Sequence, residues 1–264
     1  SAPAMSVTAY APGSVTTLFV PRDGRPSLGV SFATADGASA TVEPAAETVV
    51  YLDGRTAEVA PVAGVLRRLG VTATVRLRTD VPIGCGFGVS GAATLATALA
   101  INEAEGLGHD RDALVEAAHR AEVEAGTGLG DVFIQERGGL VWDRGEGLRH
   151  ADCTAVIGYT AFGDISTADV LGDQAAMRRV AQIGRGVLAD LTPTDGLVPL
   201  FEASWDFATQ AGLSTARVEE VVASVREDGG TATMAMVGES VVAVGGAAAL
   251  DQTTRVTTSG AGLL

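Results

Sequence analysis

The residues with the most chemical content lie in one short stretch, Pro82-Ile83-Gly84-Cys85-Gly86-Phe87-Gly88-Val89-Ser90-Gly91-Ala92. Glycines at alternate positions accept positive φ and keep side chains out of the way. Backbone N–H groups in such a turn converge on an anion. A helix starting behind it adds unpaired N–H groups and the positive end of its dipole. A triphosphate suits that arrangement, with the Ser90 hydroxyl offered to its Mg²⁺. A plain strand-to-helix connection needs one such glycine, and three at this spacing exceed that need. Gly86-x-Gly88-x-x-Gly91 also has the form of the dinucleotide fingerprint. That fingerprint follows a central parallel strand, which reads as a continuous apolar run. Here the preceding stretch alternates Val71, Ala73, Val75 and Leu77 with Thr72, Thr74, Arg76 and Arg78, and Pro82 intervenes. A P-loop needs Gly-Lys-Ser/Thr, and the chain contains no Lys.

Phosphoryl transfer to a hydroxyl requires a positioned acceptor, charge neutralisation and a proton acceptor, for which carboxylates are the natural groups. Asp131 follows Thr127-Gly128-Leu129-Gly130 and precedes a helical turn and Gly138-Gly139. A helix N-terminus there would hold it ionised; the plainer alternative is an N-cap. Glu122 shares a helix face with His119, three residues earlier. A solvated helix face is the alternative for Glu122, and Glu124 is a substitute for it. His119 reads as an ordinary part-buried histidine.

These residues need elements to hold them. The chain predicts short strands over 7–10 and 15–20, broken at Pro12-Gly13, with further strands over 27–32, 40–42 and 48–52. Val62, Val65, Leu66 and Leu69 give 58–69 a helical face. The period-two strand over 71–79 follows, with one face buried and one wet. The spacing predicts helices over 91–105, ended by Gly106, and from an Asp110 cap to about 124. A short helix comes after Asp131, then a strand over 140–143. Beyond Cys153 a strand over 155–162, helices over 174–191, 196–210 and 214–228, and a hairpin of 231–237 with 241–244 complete the pattern. Clustered strands and clustered helices argue for an α+β fold. The division falls near Asp152, giving units of 5–152 and 153–264; residues 1–4 precede Met5 and are set aside.

Composition narrows the function classes. Hydrophobic residues at 47 % against 19 % charged allow a substantial core. No apolar run reaches the roughly 18 residues that span a membrane, and the N-terminus lacks a basic segment followed by an apolar one, so neither an anchor nor a signal peptide is expected. The formal charge of −14 disfavours nucleic acid and anionic membranes as partners. All 18 Lys-or-Arg positions are Arg. A salt-adapted cytoplasm and a GC-rich genome both produce such a composition. Two cysteines, Cys85 and Cys153, and three scattered histidines give no disulfide framework or metal cluster.

The stretch from Pro82 to Ala92 resembles the second motif of the GHMP kinases, and Ala11-Pro12-Gly13 resembles their first. The resemblance implies a two-domain fold: a ribosomal protein S5 domain 2-like N-terminal domain that binds ATP, and a ferredoxin-like C-terminal domain. It also implies ATP and Mg²⁺ as cofactors. On it, residues Pro82, Gly84, Cys85, Gly86, Phe87, Gly88, Val89, Ser90, Gly91 and Ala92 bind nucleotide, and Ser90 and Glu122 hold the metal. Asp131 is the catalytic base or substrate orienter. Val89 stands where the family carries its first Ser, Gly91 where it carries its first Ala, and Ser14 where a Lys often follows the first motif. Within the superfamily the chain is similar to the archaeal pantoate kinases. The likeness lies in His119-x-x-Glu122, Thr127-Gly128-Leu129-Gly130-Asp131, Gly138-Gly139, Ile165-Ser166-Thr167 and Met234-Ala235-Met236-Val237-Gly238. That implies (R)-pantoate as substrate, with Ser14, Thr16, Thr127 and Arg144 as candidate contacts, Arg144 for its carboxylate. A cytoplasmic homodimer is the family expectation. Mevalonate, homoserine and shikimate kinases stand as alternatives within the superfamily. A nucleotide-binding protein without activity and an NAD-dependent oxidoreductase stand as other classes.

Overall fold

A computed structural model describes residues 5–22, 25–128, 130–163, 174–236, 238–245 and 250–264. The Ile165-Ser166-Thr167 stretch, Leu129 and Val237 lie outside the described residues.

The strands are β1 (Val7–Arg22), β2 (Arg25–Pro44), β3 (Val49–Leu52), β4 (Arg55–Thr56), β5 (Ala73–Thr79), β6 (Leu140–Asp143), β7 (Leu148–Ala151), β8 (Ala155–Gly163), β9 (Thr231–Met234), β10 (Glu239–Val244), β11 (Gln252–Val256) and β12 (Gly262–Leu263). The helices are α1 (Ala60–Leu69), α2 (Val89–Glu105), α3 (Arg111–Ala125), α4 (Asp131–Arg137), α5 (Gln174–Asp190), α6 (Leu197–Ala211) and α7 (Ala216–Glu227).

The first two strands differ from the sequence expectation. Pro12-Gly13 does not break β1; it shifts its register against β2 between Pro12 and Gly13. A bulge absorbs a proline that has no N–H to donate. Gly13 is required there, because a Cβ would stand 2.4 Å from the Asp36 carbonyl. The two stretches expected at 27–32 and 40–42 are likewise one strand, β2. Its length lets it serve several partners: β1 along most of it, β5 over residues 38–44, β6 over 29–32 and β11 at Thr34. The sheet order is β4-β3-β5-β2-β11-β8-β10-β9, and all described pairings are antiparallel except β3 with β5. That topology is α+β. It also removes the dinucleotide-fold reading, because β5 is no strand of a parallel doubly wound sheet.

α2 lies on β1 and β2, with α1, α3 and α4 against it. Every residue from Gly91 to Ile101 is buried, which its Ala, Thr and Leu content permits on all faces. Asp110 caps α3 by accepting from the Ala113 N–H at 2.8 Å. On the other side, Phe19 meets Phe207 edge-on and Phe32 stacks on Phe201, with centroids 6.1 and 5.9 Å apart. These contacts join the long hairpin to α6 and leave its middle facing the turn before α2.

Candidate active site

That turn, residues 80–88, connects β5 to α2. Gly84, Gly86 and Gly88 all adopt positive φ, at 93°, 83° and 59°. Gly88 is the N-cap of α2 and supplies no side-chain cap, and the first turn holds no acid. The N–H groups of Val89, Ser90 and Gly91 therefore meet the end of the helix without an internal partner. The turn is pinned from below: Ser240 Oγ donates to the Cys85 carbonyl at 2.6 Å, the Ser14 N–H donates to the Phe87 carbonyl at 2.9 Å, and Phe87 packs on Tyr159.

A cavity of about 390 Å³ opens against this turn. Gly84, Gly86, Gly88, Val89, Ser90 and Gly91 form one wall, with Thr127, Gly128, Gly130 and Asp131 beside them. The opposite wall is largely apolar, including Leu18, Leu28, Ile134, Val141, Trp142 and Met236. No Arg or His lies on the wall among the described residues.

Two carboxylates flank the turn. Asp131, the first residue of α4, accepts from Ser14 Oγ at 2.8 Å. Burial pushes its proton affinity above the ordinary carboxylate range, against the Ser14 hydrogen bond and the helix-end N–H. The helix N-terminus, expected to hold it ionised, is thus outweighed by desolvation. Glu122 on α3 is 3 % exposed, so the solvated-face alternative does not apply. Three hydroxyls donate to it: Ser90 at 2.9 Å and Thr94 at 2.8 Å on Oε1, and Thr127 at 2.8 Å on Oε2. Burial raises its pKa, the hydroxyls oppose the rise, and nearby Asp131 adds to it. Glu124 is instead exposed and paired with Arg68.

The structure therefore gathers Thr16, the glycine turn, Ser90, Thr127 and Asp131 around one cavity, with Glu122 just behind Ser90; Ser14, expected to contact substrate, is instead fully buried behind Asp131 and off the wall. Five other sequence candidates stand off it. Pro82 is exposed and off the wall. The side chains of Cys85 and Phe87 are buried beneath the turn. The Ala92 N–H is already bonded to the Gly88 carbonyl at 3.0 Å. Arg144 is exposed, off the wall, and donates to the Ala189 carbonyl at 2.8 Å. His119 packs on Phe133 at 4.8 Å, and burial lowers its pKa. The sequence reading missed Thr94 and Gln135, although each lies four residues from a candidate on the same helix, Ser90 and Asp131. It also missed Ser31, whose hydroxyl is 2.7 Å from that of Thr16.

Residues 57–139 match the GHMP kinases N terminal domain. The pantoate kinase of Methanospirillum hungatei is 27 % identical over 258 residues, covering 90 % of this chain and 87 % of that protein. The pantoate kinase of Methanocaldococcus jannaschii is 30 % identical over 156 residues, covering 57 % of this chain and 55 % of its own length. Among solved structures, a phosphotransferase related to the CoA biosynthesis pathway superposes with a TM-score of 0.85 at 22 % identity, covering 98 % of both chains.

Proposed function

We propose that this chain is a GHMP kinase that transfers the γ-phosphoryl group of ATP to the 4-hydroxyl of (R)-pantoate, giving 4-phosphopantoate and ADP on the way to coenzyme A. The observation that carries the reading is the convergence of Ser90, Glu122 and Asp131 on one glycine turn, in a chain alignable over most of its length with a pantoate kinase.

The N–H groups of the turn and of the α2 N-terminus bind the polyphosphate, against a wall that carries no Arg or His among the described residues. The donor set fits Mg²⁺: a buried carboxylate and a hydroxyl are hard oxygen ligands, and Glu122 has no cation as hydrogen-bond or ion-pair partner among the described residues. Ser90 and Glu122 would hold the ion, which supplies charge neutralisation to the phosphates when bound.

Asp131 accepts the proton of the 4-hydroxyl as that oxygen bonds to the γ-phosphorus. The bond from phosphorus to the β–γ bridging oxygen breaks, and ADP leaves with the electron pair. Ser14 holds the carboxylate in place. The apolar wall of Leu18, Ile134, Val141 and Met236 accommodates the two methyl groups of pantoate, while the Thr16, Ser31 and Thr127 hydroxyls meet its polar end. With Arg144 engaged at Ala189, hydroxyls and backbone N–H groups carry carboxylate recognition. A two-domain division near Asp152 and a cytoplasmic homodimer belong to this reading.

The test is product identification. Incubation with ATP, Mg²⁺ and (R)-pantoate should give one phosphomonoester on the primary hydroxyl by ³¹P NMR. Stoichiometric ADP with no phosphopantoate would contradict the reading.

A further inference from the structure

Gln135 lies one turn beyond Asp131 on α4 and is 0 % exposed. Its Nε2 donates to the Gly88 carbonyl at 2.6 Å and, at 3.4 Å, to Ser14 Oγ. Those contacts fix the amide orientation, since a flip would set two oxygens against each other. Its Oε1 has no hydrogen-bond partner among the described residues. A Cβ at position 91 would stand 2.9 Å from that Oε1. Gln135 thus fills the space that Gly91 leaves empty where the family signature carries Ala.

The consequence reaches Ser14. A serine hydroxyl has one proton. Because Ser14 Oγ receives a hydrogen bond from Gln135, its own proton turns to Asp131 Oδ1, 2.8 Å away. We propose that Gln135 is a positioning residue for the phosphoryl transfer: it holds Ser14 as a donor to Asp131 and moors that pair to the phosphate-binding turn at Gly88. One carboxylate oxygen is committed to Ser14 and the other is left for the attacking hydroxyl. The proposal rests on Asp131 acting as the base. It adds that the base, the hydroxyl orienting it and the phosphate turn form one hydrogen-bonded unit.

A double-mutant cycle tests this. Gln135→Met keeps length and packing but cannot donate; Ser14→Ala removes the relayed proton. Each single variant should lower kcat by about three- to tenfold, the range of one lost hydrogen bond, with KM for ATP within about twofold. The double variant should be no worse than the poorer single one, because both break the same link. Losses that multiply, or an unchanged kcat in Gln135→Met, overturn the proposal. Asp131→Asn is measured alongside. Near-normal turnover there removes the underlying reading, whereas a large loss there with multiplying losses in the cycle removes only the role of Gln135. Melting curves show whether Gln135→Met folds. If it does not, Gly91→Ala takes its place, since alanine suits the helix and its methyl displaces Gln135. Gly91→Ala should lower kcat, but not further in the Ser14→Ala background; a wild-type kcat in Gly91→Ala overturns the proposal.

Discussion

Ser14 and Asp131, 117 residues apart in the chain, are joined by a 2.8 Å hydrogen bond beside Gly88. The N-terminal strand and the first turn of α4 thereby reach the same point, next to the N-cap of α2. A Cβ on Gly88 would stand 2.2 Å from Ser14 Oγ and 3.2 Å from Asp131 Cγ, so the turn approaches the pair as closely as a bare backbone can.

Asp131→Asn should lower kcat by at least about a hundredfold, as losses of a general base do, and leave nucleotide affinity close to normal. Steady-state kinetics with ATP titrations check both. Near-normal turnover takes Asp131 out of the chemistry.

The pH profile follows from the burial of Asp131. A base must be ionised, and desolvation raises the pH at which this carboxyl loses its proton. Activity should fall on acidification through a limb above the ordinary carboxylate range of about 4. Ser14→Ala removes a hydrogen bond that favours the ionised form and should move that limb to higher pH. A limb unmoved by that substitution goes against the assignment.

Ser90→Ala should raise the Mg²⁺ concentration needed for half-maximal rate, because it deletes one oxygen ligand while Glu122 keeps Thr94 and Thr127. An unchanged metal dependence argues that Ser90 only braces Glu122.

Glu122 should trade stability for function. Its pKa is raised in the folded chain by burial, so the fold binds this proton more tightly than the unfolded chain does. Its ionised form therefore costs stability above the folded pKa, and the cost disappears as pH falls below the unfolded value. Glu122→Gln should melt higher than the parent at neutral pH, by about 2–4 °C per kcal/mol recovered, with the gap closing in acid and with activity lost. Equal melting at both pH values contradicts the buried-charge account.

Much of this site was legible in the sequence, because glycine spacing and residue type carry information that burial does not alter. Gly84, Gly86, Gly88, Ser90, Glu122 and Asp131 all fall where the motifs put them. Distance-dependent features were not legible. Glu122 is surrounded by hydroxyls from α2 and from the segment after α3, and only tertiary packing turns a helix-face acid into a buried one. Thr94 and Gln135 were within reach of the four-residue helical spacing. In the fold, β1 and β2 read as fragments because a bulge at Pro12-Gly13 looks like a break. β7 and β11 were invisible because Leu148–His150 and Gln252, Thr253 and Arg255 are exposed, so no apolar alternation marks them. The electrostatic reading of Arg144 failed for a similar reason: sequence proximity to β6 did not bring it to the cavity wall.

Phosphoryl transfer to pantoate at the turn before α2 is tested most directly by coupled ADP release with (R)-pantoate, mevalonate, homoserine and shikimate under identical ATP and Mg²⁺. The kcat/KM for pantoate should be at least about a hundredfold above the others, the discrimination a polar-matched pocket supplies. Turnover of mevalonate or homoserine with none of pantoate would contradict it.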